Sequence, residues 1–86
     1  MNQQLSSLDS IRPGERAVVR RLTVGGSMRR RFLDIGLVEN TTVECLGRSP
    51  GGDPSAYLIR GAVIAIRARD CRGVLVAPVR EGTSWA

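Results

Sequence analysis

The chain has 86 residues, enough for one domain whose single core buries about 60–65% of the surface its unfolded form exposes, so its stability is modest. Apolar residues at 42% and charged residues at 24% exclude a disordered or low-complexity segment, and ten glycines with four prolines argue for short strands and turns rather than a helical bundle. All thirteen basic residues are arginine; against eight acids they leave a net charge of +5 and a pI near 11.0, which favours an acidic partner, whether nucleic acid, an anionic membrane surface or a protein.

In chain order, the residues through Gln4 read as disordered, within a tail over 1–6. Leu8 and Ile11, three apart among Ser7, Asp9 and Ser10, suggest one helical turn that tucks two side chains inward. Pro13-Gly14 fits a type II turn. A strand is predicted from Glu15 to Val24; Ala17 and Val19 fit one face while Leu22 and Val24 fit the other phase, so a bulge or bend is expected near Arg20-Arg21.

The one clear helix signal follows. Ser27 is placed to cap it, Met28, Phe32 and Ile35 recur at i, i+4 and i+7, Leu33 widens that stripe, and Gly36 suits the left-handed position that ends a helix. Arg29, Arg30 and Arg31 occupy its first turn, where the helix dipole disfavours cations, and only Arg30 has an evident partner, Asp34 four residues on. Glu39-Asn40 reads as a turn, and Thr41 to Arg48 as a strand with Val43 and Cys45 inward.

Ser49 to Pro54 is a dense run of turn formers. Beyond it Tyr57 and Ile59 share a face, Gly61 interrupts, and Ala62 to Arg67 brings Ile64 and Ile66 inward, so that these strands form a meander with the preceding one. Arg69 to Arg72 fits one helical turn that buries Cys71. Val74 to Val79 then carries Val74 and Val76 inward, and Pro78 marks it as an edge or terminal strand. Residues 80–86 read as a second tail. The expectation is an all-β chain: a small SH3-like barrel of about five strands with one inserted α-helix, a single domain over 1–86 with its core at about 8–79.

The chain carries neither histidine nor lysine, which removes the commonest metal ligand, the commonest general base and the Schiff-base nucleophile. No enzyme is expected, and no catalytic residue, cofactor, small-molecule substrate or resident metal site, since acids and two lone thiols without histidine are a poor ligand set for a transition metal. Cys45 and Cys71 stand singly and read as buried thiols of a reducing compartment. With no apolar run long enough to span a membrane and a polar start without a secretory pattern, the protein is expected in the cytoplasm.

Four segments together carry a family likeness: Arg31-Phe32-Leu33-Asp34-Ile35-Gly36-Leu37, Val43-Glu44-Cys45-Leu46, Ser49-Pro50-Gly51-Gly52-Asp53-Pro54, and Ala62-Val63-Ile64-Ala65-Ile66-Arg67. The chain resembles the FeoA family from about Leu8 to Val76. It departs from the family pattern in having Glu39-Asn40 where Pro-Gly is usual and Gly51 where leucine is frequent. The resemblance implies an SH3-like barrel, similar also to the C-terminal domain of iron-dependent repressors, whose role is to bind and regulate the membrane ferrous iron permease through its cytosolic GTPase-containing part. It further implies a cytoplasmic protein recruited to the inner membrane face by that partner.

Two candidate contact sets emerge. Leu46, Leu58, Val63 and Leu75 fall on the phase opposite the inward residues, so they are either covered by the helix and the N-terminal turn or form an exposed patch for a partner or a homodimer. Arg29, Arg30 and Arg31 are the electrostatic candidates; the alternative is a solvated basic face. A nucleic-acid-binding barrel is less favoured, because single-strand binders stack bases on aromatic side chains and only Tyr57 and Trp85 remain once Phe32 is assigned to the core. A regulatory domain cut from a repressor is the other alternative, with no room in the chain for a helix-turn-helix segment.

Overall fold

The structure is a computed structural model, describing residues 5–79; the expected tails before Leu5 and over 80–86 lie outside the described residues. Six antiparallel strands form one sheet: β1 (Ser6–Ser7), β2 (Arg16–Leu22), β3 (Thr42–Arg48), β4 (Ser55–Ile59), β5 (Ala62–Ile66) and β6 (Val74–Pro78), in the order β1-β6-β2-β3-β4-β5. The SH3-like sheet does not close, because β1 and β5 stand at its ends with no pairing between them. A 3-10 turn (Leu8–Ser10) follows β1, helix α1 (Gly26–Asp34) joins β2 to β3, and the single turn α2 (Ala68–Cys71) joins β5 to β6.

The inward residues are those the alternation selects. Val19, Val43, Cys45, Tyr57, Ile59, Val74 and Val76 are all buried in one cluster, to which the N-terminal turn adds Leu8 and Ile11. The bend expected in β2 is a bulge: pairing to β6 runs Val19 to Val76 and then skips to Arg21 opposite Leu75, leaving Arg20 unpaired in the ladder. That extra residue lets Val19 and Leu22, three apart, serve different stretches of a twisted strand. Its guanidinium is used locally, donating to the side-chain oxygen of Asn40 at 2.9 Å, and Asn40 takes the positive φ of 75° expected in that turn.

Helix α1 ends as its sequence dictates and begins otherwise. Gly36 has φ 104°, its N–H donates to the Leu33 carbonyl, and the Leu37 N–H reaches the Phe32 carbonyl, the paired bonds of a Schellman stop. At the start, Ser27 is not the cap. Gly25 holds that place in extended conformation without a side-chain bond, and Gly26 enters the helix at φ 62°, a conformation open to glycine, so the helix begins before Ser27 can cap it. The apolar stripe is also narrower than the sequence suggested. Phe32 is 2% exposed and Met28 and Ile35 are half-buried, but Leu33 is 39% exposed because the helix meets the sheet along one line only.

Three further differences concern the sheet. The sixth strand is β1, where Ser6 and Ser7 pair with Val76 and Leu75, so the sheet starts before residue 8. As a result β6 lies between β1 and β2 rather than at an edge; Pro78 is tolerated as its last residue, where a missing donor costs least. Finally, Asp53, in the turn between β3 and β4, accepts the Ala68 N–H at 2.8 Å, tying that turn to the start of α2.

Candidate functional site

The two sets of candidate residues occupy different parts of the surface. Leu58 and Val63 are direct cross-strand partners on β4 and β5, facing outward, and Leu46 lies on the same outer face where β3 bulges between Cys45 and Gly47. Val63 is 65% exposed and Leu46 41%, whereas Leu58 is half-buried between its neighbours. With the outward Ala56 and Ala65, which also pair directly, they make a largely apolar outer face on β3–β5, interrupted by Glu44 directly opposite Leu58. Leu75 does not join it: it sits on β6, paired with Ser7 and Arg21, at the other end of the sheet.

The three arginines fan out, as successive positions about 100° apart on a helix must. Arg29 turns toward β2, where its guanidinium approaches the Leu22 carbonyl at 3.4 Å. Arg30 lies between, beside Gly26, Leu33 and Asp34. Arg31 turns the opposite way, into a groove between α1 and β5 that Met28, Phe32 and Ile35 line from the helix and Ile64 to Arg67 line from the strand. No ion pair joins Arg30 to Asp34; among the described residues the sole salt bridge is Arg72 to Asp9, a loose and exposed contact at 3.9 Å.

Other arginines are structural, and their role was not readable from sequence spacing. Arg48 donates to the Ser55 hydroxyl at 3.1 Å and to the Ile11 carbonyl at 3.0 Å, fastening the end of β3 to the N-terminal segment 37 residues away. By contrast Arg31, Arg60, Arg67 and Arg69 make no side-chain hydrogen bond or ion pair among the described residues, and all are exposed.

The buried polar chemistry belongs to the core. The Cys71 thiol donates to the Tyr57 hydroxyl at 3.5 Å, with both residues at most 1% exposed. Burial pushes the Cys71 thiol up to about 11 from 9.0; it also raises Cys45, and it raises Tyr57 with help from the Cys71 contact. Such thiols are poor nucleophiles at neutral pH. Because the folded pKa lies above the unfolded one, the corresponding stability is intact below pH 9 and is lost as pH climbs toward 11. The thermal midpoint should therefore fall over that alkaline window, and a Cys71→Ala variant should lose part of the slope. An equal slope in the variant would assign the alkaline loss to other groups.

Among the described residues no cluster of three or more His, Cys, Asp or Glu side chains could hold a metal ion, and no helix is long and apolar enough to cross a membrane. What the surface offers is an apolar sheet face, a groove beside it and unpaired cations.

Comparison with known proteins gives the following. Residues 6–78 match the FeoA domain. The solution structure of iron(II) transport protein A from Clostridium thermocellum is 29% identical with a TM-score of 0.81, covering 85% of this chain, which spans only 45% of that one. FeoA of Stenotrophomonas maltophilia, an SH3 domain protein crystallised with zinc, is 23% identical with a TM-score of 0.74, covering 81% of this chain and 87% of that one. A manganese-dependent transcriptional repressor has the same fold in part of its length, at 19% identity and a TM-score of 0.80, covering 92% of this chain and 44% of the repressor. No curated protein matches.

Proposed function

We propose, from the premise that this chain belongs to the FeoA family, that it is a non-enzymatic docking domain of ferrous iron transport, binding the cytosolic GTPase-containing part of the iron permease. It acts in the cytoplasm and reaches the inner face of the membrane through that partner. The observation that carries this reading is the exposed apolar side chains of Val63 and Leu46 with the half-buried Leu58 between them, on a chain whose exposed cations Arg31 and Arg60 lie on the α1 side of the sheet. An interface of this kind combines apolar anchors that hold with peripheral charges that steer. The chemistry suits an acidic protein better than nucleic acid, because Tyr57 is buried in the core and offers no stacking platform.

The test is a pull-down of the purified cytosolic part of the permease by the full chain, with an unrelated acidic protein as control. The expected result is retention of the permease part alone, weakened by Leu58→Gln while the thermal midpoint holds. Equal retention of the control would reduce the interaction to charge. Loss of the fold in Leu58→Gln would place that residue in the core and remove it from the docking surface.

A further inference from the structure

The strand β5 ends the sheet with one side unpaired, and the hairpin before it determines which backbone groups that side presents. Ile59 and Ala62 flank the two-residue turn Arg60-Gly61, both residues of which have positive φ, as a type I′ turn requires. They are therefore a hydrogen-bonded pair, and the ladder alternates from there: Tyr57 with Ile64 and Ser55 with Ile66 exchange bonds, while Leu58 with Val63 and Ala56 with Ala65 do not. The N–H and C=O groups of Val63 and Ala65 consequently point away from β4, toward an edge that no described element occupies.

Protected edges carry charges, prolines or bulges that discourage pairing. This one carries none, since β5 reads Ala-Val-Ile-Ala-Ile without a break in register against β4. A groove runs along it, walled on the far side by Met28 and Ile35 of α1, so a strand added here would set alternate side chains against those residues. We propose that the free edge of β5 takes up, by strand addition, an extended segment of the protein partner that is apolar at alternate positions and acidic at its ends.

The charge at the edge selects this occupant. Arg60 stands before β5, Arg67 directly after it and Arg69 beyond, and Arg31 faces the groove from the helix; against them stand Asp70 in the groove and Asp34 beside Arg60. A second copy of the chain pairing antiparallel across the same edge would bring the Arg60 end of one β5 to the Arg67 end of the other, like charge on like. An acidic-ended segment reverses that sign at both ends. The proposal rests on the docking-domain reading for the source of the segment, and adds to it the edge, the backbone groups and the sequence character of what binds.

The probe is a synthetic peptide of three valines alternating with threonines, with two glutamates at each end, titrated into the full chain and followed by amide NMR shifts and hydrogen exchange. The expected result is slowed exchange at Val63 and Ala65, with shift changes along β5 and at Met28 and Ile35. Ala65→Pro removes an outward donor but no bond of the β4–β5 ladder, a change edge strands accept. It should keep the fold and lower peptide affinity at least about tenfold, since blocking the edge removes several main-chain bonds. Ends of lysine in place of glutamate should weaken the peptide further, and added salt should weaken the glutamate form. Equal binding by Ala65→Pro, shift changes away from β5, or a dimer abolished by Ala65→Pro would overturn the proposal, the last by giving the edge to a second copy. If Ala65→Pro destabilises the domain, a peptide N-methylated at the amides that face the edge, which loses the main-chain donors and leaves the protein unchanged, takes its place with the same expectation. The permease part distinguishes the two readings: binding it equally with and without Ala65→Pro overturns strand addition alone, whereas peptide binding without permease binding overturns the choice of partner and leaves the edge.

Discussion

Replacing Phe32 with alanine should cost about 3–5 kcal/mol, leaving the domain marginally stable with up to about half of its population unfolded. The size follows from the fold rather than from the ring alone. Phe32 is the one fully buried side chain of α1, with Met28 and Ile35 only half-buried beside it and Leu33 turned to solvent. Its carbonyl also receives the Leu37 N–H that stops the helix, and Leu37 is itself fully buried. The cavity left by the ring would thus lie where the helix, its stop and the sheet meet, within the one buried cluster of the domain. For a domain of this size the total stability is about 5 kcal/mol, so a loss in that range removes most of it. Thermal melts with urea titration measure it; a variant melting with the parent would mean that α1 is not fastened through Phe32. Leu33→Ala, at an exposed site, is the internal comparison and should shift stability by less than about 1 kcal/mol.

The second large effect is kinetic. Exchanging Arg29, Arg30 and Arg31 for glutamine should slow association with the acidic partner by on the order of tenfold at low salt and flatten its salt dependence, with a smaller change in dissociation. The fan of the three side chains apportions the effect: Arg31, beside the β5 groove, should account for most of it, and Arg29, drawn toward the Leu22 carbonyl on the opposite side, for least. Removing cations from the first turn of a helix relieves a conflict with its dipole, so the same variant should melt no lower than the parent. Surface plasmon resonance at two salt concentrations reads the rates. Unchanged association with a lowered melting temperature would make the arginines structural.

Much of this architecture was readable in the residues. The bulge at Arg20 announced itself as a break in alternation between Val19 and Leu22, the helix stop as Gly36, and the inner face as the pairs Val43/Cys45, Tyr57/Ile59 and Val74/Val76. What was not readable depends on contacts distant in sequence. Ser6-Ser7 has no apolar pattern and becomes a strand because β6 offers it partners. The place of β6 inside the sheet is set by that same pairing, which reaches only Leu75 and Val76, so Pro78 marks the end of the last strand and not an edge along its length. Ser27 looked like a cap because local preference cannot register that Gly26 turns the chain into the helix two residues early. Of the candidate residues, the outward place of Leu46, Leu58 and Val63 on neighbouring strands followed from strand phase, whereas Leu75 shared the phase and not the place. The structural duty of Arg48 involves an acceptor 37 residues away, and the free edge of β5 is visible only once strand order is known.

The most direct test of the docking surface is to add the cytosolic part of the permease to the isotopically labelled full chain and map the amide shifts. The account predicts changes at Leu46, Leu58, Val63 and the remainder of β5, extending to Arg31 and leaving the β1–β6 end of the sheet, including Leu75, unaffected. Changes confined to β1, β6 and the N-terminal turn, or none at concentrations where binding is established by other means, would contradict it.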